Sequence, residues 1–266
     1  MTIFIGHDDW VAEGKLTLIE EPSIASAYRY TGSLAYPYHI YNAFKPDTAT
    51  KANVRGTVAA PLDFTNTSGL LPDYFGVACC RGYNDSSSDV VFAEDFSTAV
   101  NSVTTDVFTN KKTQRPHNFV VKTGDTSSGN NSLTIDPNLG SIAFSNLRIG
   151  TLTPLENYGA GHVYFEAGAT THKTKNIYSD EGYQIATTSS NYPASFSIRI
   201  KNHSEAWFLQ YYDKMVSDMA QRPFFLYDDT VTNGEAAYCW LTSAPGQAKM
   251  NNNGLFDITL SCKGYL

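Results

Sequence analysis

The residues of this 266-residue chain best suited to chemistry stand near its start, where His7, Asp8 and Asp9 follow one another. Imidazole and carboxylate are good metal donors, but three adjacent side chains cannot converge on one ion without partners from elsewhere in the chain. A solvated N-terminal turn is therefore predicted here. Asp228 and Asp229 precede a tight turn, where aspartate serves the backbone, and Glu20 and Glu21 sit locally before Pro22. The six histidines (7, 39, 117, 162, 172 and 203) are scattered without a partner pattern. No nucleophile elbow, zinc-protease pair, phosphate loop or dinucleotide fingerprint occurs. The one basic cluster, Lys111, Lys112, Arg115 and His117, reads as a solvated loop. The chain is thus expected to carry no catalytic residue, no metal site and no cofactor.

Charge excludes a further class. Nineteen basic residues against 26 acidic ones leave a net charge of −7, which gives no electrostatic footprint for gripping nucleic acid. No run approaches the 18 or so apolar residues of a membrane span, and the first residues have neither a basic nor an apolar leader region. The four cysteines, 79, 80, 239 and 262, contain no C-x-x-C pair. Adjacent Cys79 and Cys80 would point to opposite faces of a strand, so four reduced, mainly buried thiols are expected.

Aromatic residues at 13%, with Ser, Thr, Asn and Gly between them, favour strands. "DYFGVACC" alternates Phe75, Val77 and Cys79 on one face, and "DVVFAE", "HNFVVKTG", "SLTI" and "SIAFSNLRIG" follow at short intervals. That spacing predicts a β-sandwich. Residues 151–192 read as a bridge with one strand, His162 to Phe165. From 193 the order becomes strand, helix, hairpin, strand. "SFSIRIK" alternates Phe196, Ile198 and Ile200. In "SEAWFLQYYDKMVSDMAQ", Trp207, Phe208, Tyr211, Tyr212, Met215 and Met219 share one helical face, Ser204 is the N-cap and Pro223 the stop. Phe224 to Tyr227 and Ala237 to Leu241 form a hairpin around Asn233-Gly234, with its aromatics expected to cover that helical face. "GLFDITLSCKGYL" closes the unit with Phe256, Ile258, Leu260 and Cys262 on one side. The expected divisions are 1–150, a sandwich with its N-terminal segment; 151–192, the bridge; and 193–266, the α+β unit. Its core and interface are assigned to Trp207, Phe208, Tyr211, Phe224, Phe225, Tyr238 and Trp240.

From Tyr192 to Leu266 the chain resembles the C-terminal part of tail-tip proteins of long-tailed bacteriophages. The shared features, in order, are the aromatic helix, Arg222-Pro223-Phe224-Phe225, an acidic turn, Tyr238-Cys239-Trp240, Thr242, and Asn253-Gly254-Leu255-Phe256-Asp257-Ile258-Thr259-Leu260. The middle, about 40–150, is similar to the discoidin-like sandwich such proteins often carry, without its usual tryptophans. The resemblance implies a distal-tail-like structural protein of the virion tail. It would form a ring of six, or alternatively three, identical subunits, joining the tube to the hub and fibres, and DNA would pass without specific binding and without membrane insertion. The alternative is a carbohydrate-binding sandwich module for host adhesion, with Tyr83 as its exposed aromatic.

Overall fold

The alternation that predicts strands is realised along most of the described residues. The computed structural model describes residues 3–19, 43–45, 52–55, 60–68, 70–83, 91–95, 101–104, 117–122, 132–136, 141–155, 171–178, 183–192, 194–228, 236–245 and 247–265. The strands are β1 (Ile3–Gly6), β2 (Leu16–Leu18), β3 (Ala52–Arg55), β4 (Ala60–Asn66), β5 (Tyr74–Tyr83), β6 (Val91–Asp95) and β7 (Asn101–Thr104). Next come β8 (His117–Lys122), β9 (Ser132–Asp136), β10 (Ser141–Phe144), β11 (Asn146–Gly150), β12 (Thr153–Leu155), β13 (Thr171–Tyr178) and β14 (Gln184–Tyr192). β15 (Ala194–His203) precedes the helix α1, residues 205–221, and β16 (Phe224–Asp228), β17 (Ala236–Leu241), β18 (Lys249–Met250) and β19 (Phe256–Tyr265) follow it.

Two five-stranded sheets, β2-β4-β9-β6-β7 and one of β3, β10, β11, β5 and β8, enclose a common core. Leu62, Phe64, Leu133 and Ile135 reach it from one sheet, and Phe75, Val77, Phe119, Phe144, Leu147 and Ile149 from the other. The expected sandwich is present, with one change in β5. Cys79 has φ 53° at a break in the β5–β8 register, so Cys80, not Cys79, takes the core position after Val77. This is how a β-bulge re-aims a strand. All four cysteines are buried free thiols.

The third sheet runs β12-β1-β16-β17-β19-β15, with β18 beside β19. Here the expected division at 150 fails. β1 pairs antiparallel with β16, Ile5 opposite Leu226, and β12 pairs with β1. The N-terminal segment and the start of the bridge therefore belong to the C-terminal sheet. The rest of the described bridge is the β13–β14 hairpin; the strand expected at 162–165 lies outside the described residues, as do the tip at 233–234 and the cluster at 111–115.

β16 is buried along its whole length, and its two faces go to different places. Phe224 and Leu226 pack with Trp207, Met215 and Met219 of α1, while Phe225 and Tyr227 pack with Tyr74, Ala78 and Val120 of the sandwich. Of the hairpin aromatics only Phe224 packs in the helix-side core, which corrects the expectation that aromatics of both arms cover that helical face. Gly76 makes the second contact possible: a Cβ there would stand 2.8 Å from the Phe225 ring. The result is four layers: sheet, sheet, sheet and helix.

Ser204 caps α1, its hydroxyl accepting from the Trp207 backbone N–H at 3.1 Å. Residues 208–212 form a π-helical turn. The wider turn rotates the expected apolar face, so Trp207, Met215 and Met219 are buried while Phe208 and Tyr211 are half-buried at the rim. Phe208 stacks there between Tyr212 and Phe256, at 4.4 and 4.2 Å between ring centroids.

Candidate functional site

β1 ends at Gly6, and the next three residues cross from the third sheet to the sandwich. Trp10 is buried in the sandwich core and its backbone N–H donates to the Ile149 carbonyl at 2.9 Å. Asp9 shapes the turn, accepting from the Ala12 N–H at 3.1 Å through its side chain and from the Glu13 N–H at 2.9 Å through its carbonyl. Gly150 lets the turn close down, since a Cβ there would meet the Asp8 Cβ at 2.8 Å. With β1 held by one layer and Trp10 by another, His7, Asp8 and Asp9 are 4%, 4% and 6% exposed. The solvated turn expected from the sequence is instead an interior joint.

The distant partners come from α1 and from the segment after β11. The His7 ring bridges Asp218 Oδ2 through Nδ1 and Thr153 Oγ1 through Nε2, both at 2.9 Å. The Lys214 ammonium donates to Asp8, to Asp218 Oδ2 at 2.7 Å and to Glu13 Oε1 at 3.2 Å. Thr151 and the Trp10 indole N–H also donate to Asp8. Lys214 and Asp218 stand one helical turn apart, so both reach the joint from the same side of α1.

Burial pushes the Asp8 carboxyl up, but hydrogen bonds from Lys214 and Thr151 and the nearby charges outweigh it, leaving its pKa below the ordinary value. Asp218 is lowered in the same way: burial opposes, and the hydrogen bonds from His7 and Lys214 prevail. Lys214 is raised, its partial burial being outweighed by Asp218 and Asp8. Asp9 differs. Burial raises it, and Arg148, whose Nε lies 3.9 Å away, only partly compensates. Arg148 is itself buried beneath the Tyr238 ring and donates to the Pro223 carbonyl, tying β11 to the start of β16.

Thr153, His7 and Asp218 are strung in the order hydroxyl, imidazole, carboxylate that activates a nucleophile elsewhere. Here the hydroxyl belongs to a residue only 3% exposed within the β1–β12 pairing, so no substrate approaches it. Ligand atoms of His7, Asp8 and Asp218 also lie within 4.8 Å of one another, a spacing a metal ion could use. Lys214 contacts both carboxylates and already supplies the positive charge that an ion would bring. What the geometry does is hold α1, β12 and the N-terminal turn together.

No family model matches this chain, and neither a curated protein nor a solved structure matches it.

The core and interface residues named from the sequence separate into three groups. Trp207 and Phe224 lie in the helix-side core, with Phe208 and Tyr211 at its margin. Phe225 and Tyr238 lie in the seam against the sandwich. Trp240 is half-buried beside Tyr265, at 5.7 Å between centroids. One aromatic neighbour was missed. His203 is fully buried and stacks on Trp207 at 3.9 Å, with no hydrogen-bond partner on either ring nitrogen. Burial lowers its pKa to about 4.

Proposed function

We propose that this chain is a structural subunit of the tail tip of a long-tailed bacteriophage, assembled as a closed ring of identical copies around the DNA path, with six as the first expectation. The sandwich is read as the discoidin-like module of that assembly. One observation carries the reading: the third sheet is covered by helix and sandwich over much of its extent, yet it ends in β15, ten residues long and unpaired on its outer side among the described residues. An edge of that length needs an occupant, and a ring of copies supplies one at every position. The inward-turned charges of the His7 joint favour a holding role over a catalytic one.

Locating the chain in a map of the assembled particle tests the proposal. The expected result is a ring on the tail axis with a bore that is acidic or neutral, because a basic lining would retain passing phosphates in a salt-dependent way. A chain found off the axis, or a bore lined by lysine and arginine, would overturn it.

A further inference from the structure

The third sheet has an uncovered end. On β15 and β19 the even-numbered residues Ile198, Ile200, Ile258, Leu260 and Cys262 are buried under α1. The odd-numbered ones face the other way. Towards β17 that side is covered by the sandwich, but along β15 it is open. Ser195, Ser197, Arg199, Lys201, Thr259, Ser261 and Lys263 are all exposed there, and their register, Arg199 opposite Thr259 and Ser195 opposite Lys263, puts them on one surface. Around Arg199, Lys201 and Lys263 the described part of this shelf has one carboxylate, the half-buried Asp257, which itself faces the exposed Lys249 of β18, on a chain of net charge −7. Arg199, Lys201 and Lys263 have no ion-pair partner among the described residues.

The opposite side of the same layer carries the complementary sign. At four-residue steps α1 exposes Glu205, Leu209 and Asp213, with Leu209 77% exposed. Glu205 and Asp213 are eight residues apart, at most about 12 Å along the helix because the π-turn lies between them. Arg199 lies four residues from Ser195, and so from the Lys263 level, about 13 Å along a strand. The two spans match. Trp240, opposite Lys263 and half-buried, borders the shelf on the side away from β15.

We infer that the basic shelf of one copy receives the outer stripe of α1 from a second copy, Glu205 and Asp213 against Lys263 and Arg199/Lys201. This rests on the ring reading above and adds to it a contact on the sheet face beside the β15 edge. Because donor and acceptor are different surfaces, on opposite sides of the paired helix and sheet, the contact is head-to-tail, the type that makes a ring where its rotation closes. A nucleic acid is the rival occupant of a basic shelf, but it would have to approach a chain whose overall charge repels it.

Two variants of the full chain test the assignment: Arg199→Glu/Lys201→Glu, which spoils the shelf, and Glu205→Lys/Asp213→Lys, which spoils the stripe. Should the second fold poorly by circular dichroism, Glu205→Gln/Asp213→Asn replaces it. Sedimentation at rising concentration should show each variant self-associating at least about tenfold more weakly than wild type. Their mixture should regain association, because the intact shelf of one meets the intact stripe of the other and the two reversed surfaces are again opposite in sign. With the Gln/Asn variant only the intact pair remains and a 1:1 complex is expected. Both weaken as salt is raised. If both variants associate as wild type does, these surfaces are wrong while the ring reading stands. If wild type stays monomeric and no mixed complex forms, the contact is refuted, and the ring is judged by the particle map alone. Retention of a single-stranded oligonucleotide by wild type but not by the shelf variant, without a mixed complex, refutes it in favour of nucleic acid.

Discussion

His203 stacks face to face on Trp207 with both nitrogens unsatisfied, and this makes it sensitive to acid. In the unfolded chain its ring titrates near 6.5, in the fold near 4. Between those values the unfolded state binds more protons, so stability is intact above pH 6.5 and declines as the pH falls towards 4, by at most about 3 kcal/mol. His203→Phe keeps the stack and removes the titration; urea midpoints at pH 7 and pH 4.5 should then differ less than in wild type. An unchanged difference would refute the assignment. Asp9, raised by burial, acts with the opposite sign, but it is common to both proteins and cancels in the comparison. Asp8 and Asp218 act lower, their contributions being full above 3.8 and lost as the pH falls through their depressed folded values. Lys214→Met removes part of that depression. It should cost about 1–2 kcal/mol, a figure reduced for the half-exposed ammonium, and shift acid unfolding to higher pH. None of this joint was legible in His7-Asp8-Asp9 alone. Its partners stand up to 211 residues away in the chain, and the pairing of β1 with β16 that unites them leaves no local mark.

Periodicity served the elements better. The helix, its Ser204 cap, the hairpin arms and the closing strand lie where alternation and the 3.6-residue period put them, because each buries a face in the helix-side core. Ser204→Ala should cost about 1 kcal/mol, and Trp207→Ala about 3–5 kcal/mol, since the indole fills the core and donates to the Pro154 carbonyl at 2.6 Å. Chemical denaturation measures both; a Trp207→Ala loss below that of Ser204→Ala would contradict the packing. Two local departures escaped the period. The π-turn at 208–212 and the bulge at Cys79 each insert a residue, and an insertion is set by what the neighbouring strand demands.

Across the whole molecule the seam through Gly76 and Phe225 joins the sandwich to the third sheet. Gly76→Ala would force the Phe225 ring away and should cost about 1–3 kcal/mol. Wild type should unfold in one calorimetric transition, with Trp10 of the sandwich core and Trp207 of the helix layer lost together; two separated transitions would mean that the seam is weak. A mainly β chain with one amphipathic helix was legible from composition and spacing, whereas the seam was not, because nothing local distinguishes Phe225, facing the sandwich, from Phe224, facing the helix. The path of β1 also sets an order of events during synthesis. Its partner Leu226 is made 221 residues after Ile5. At bacterial or slower elongation rates that is a wait on the order of 10–45 s. The sandwich can condense meanwhile and β12 can pair with β1, but the other edge of β1 stays open, and His7 and Asp8 lack their α1 partners, until the helix and β16 emerge. High contact order of this kind slows folding, and it makes the last fifth of the chain the step that turns a loose N-terminus into an interior strand.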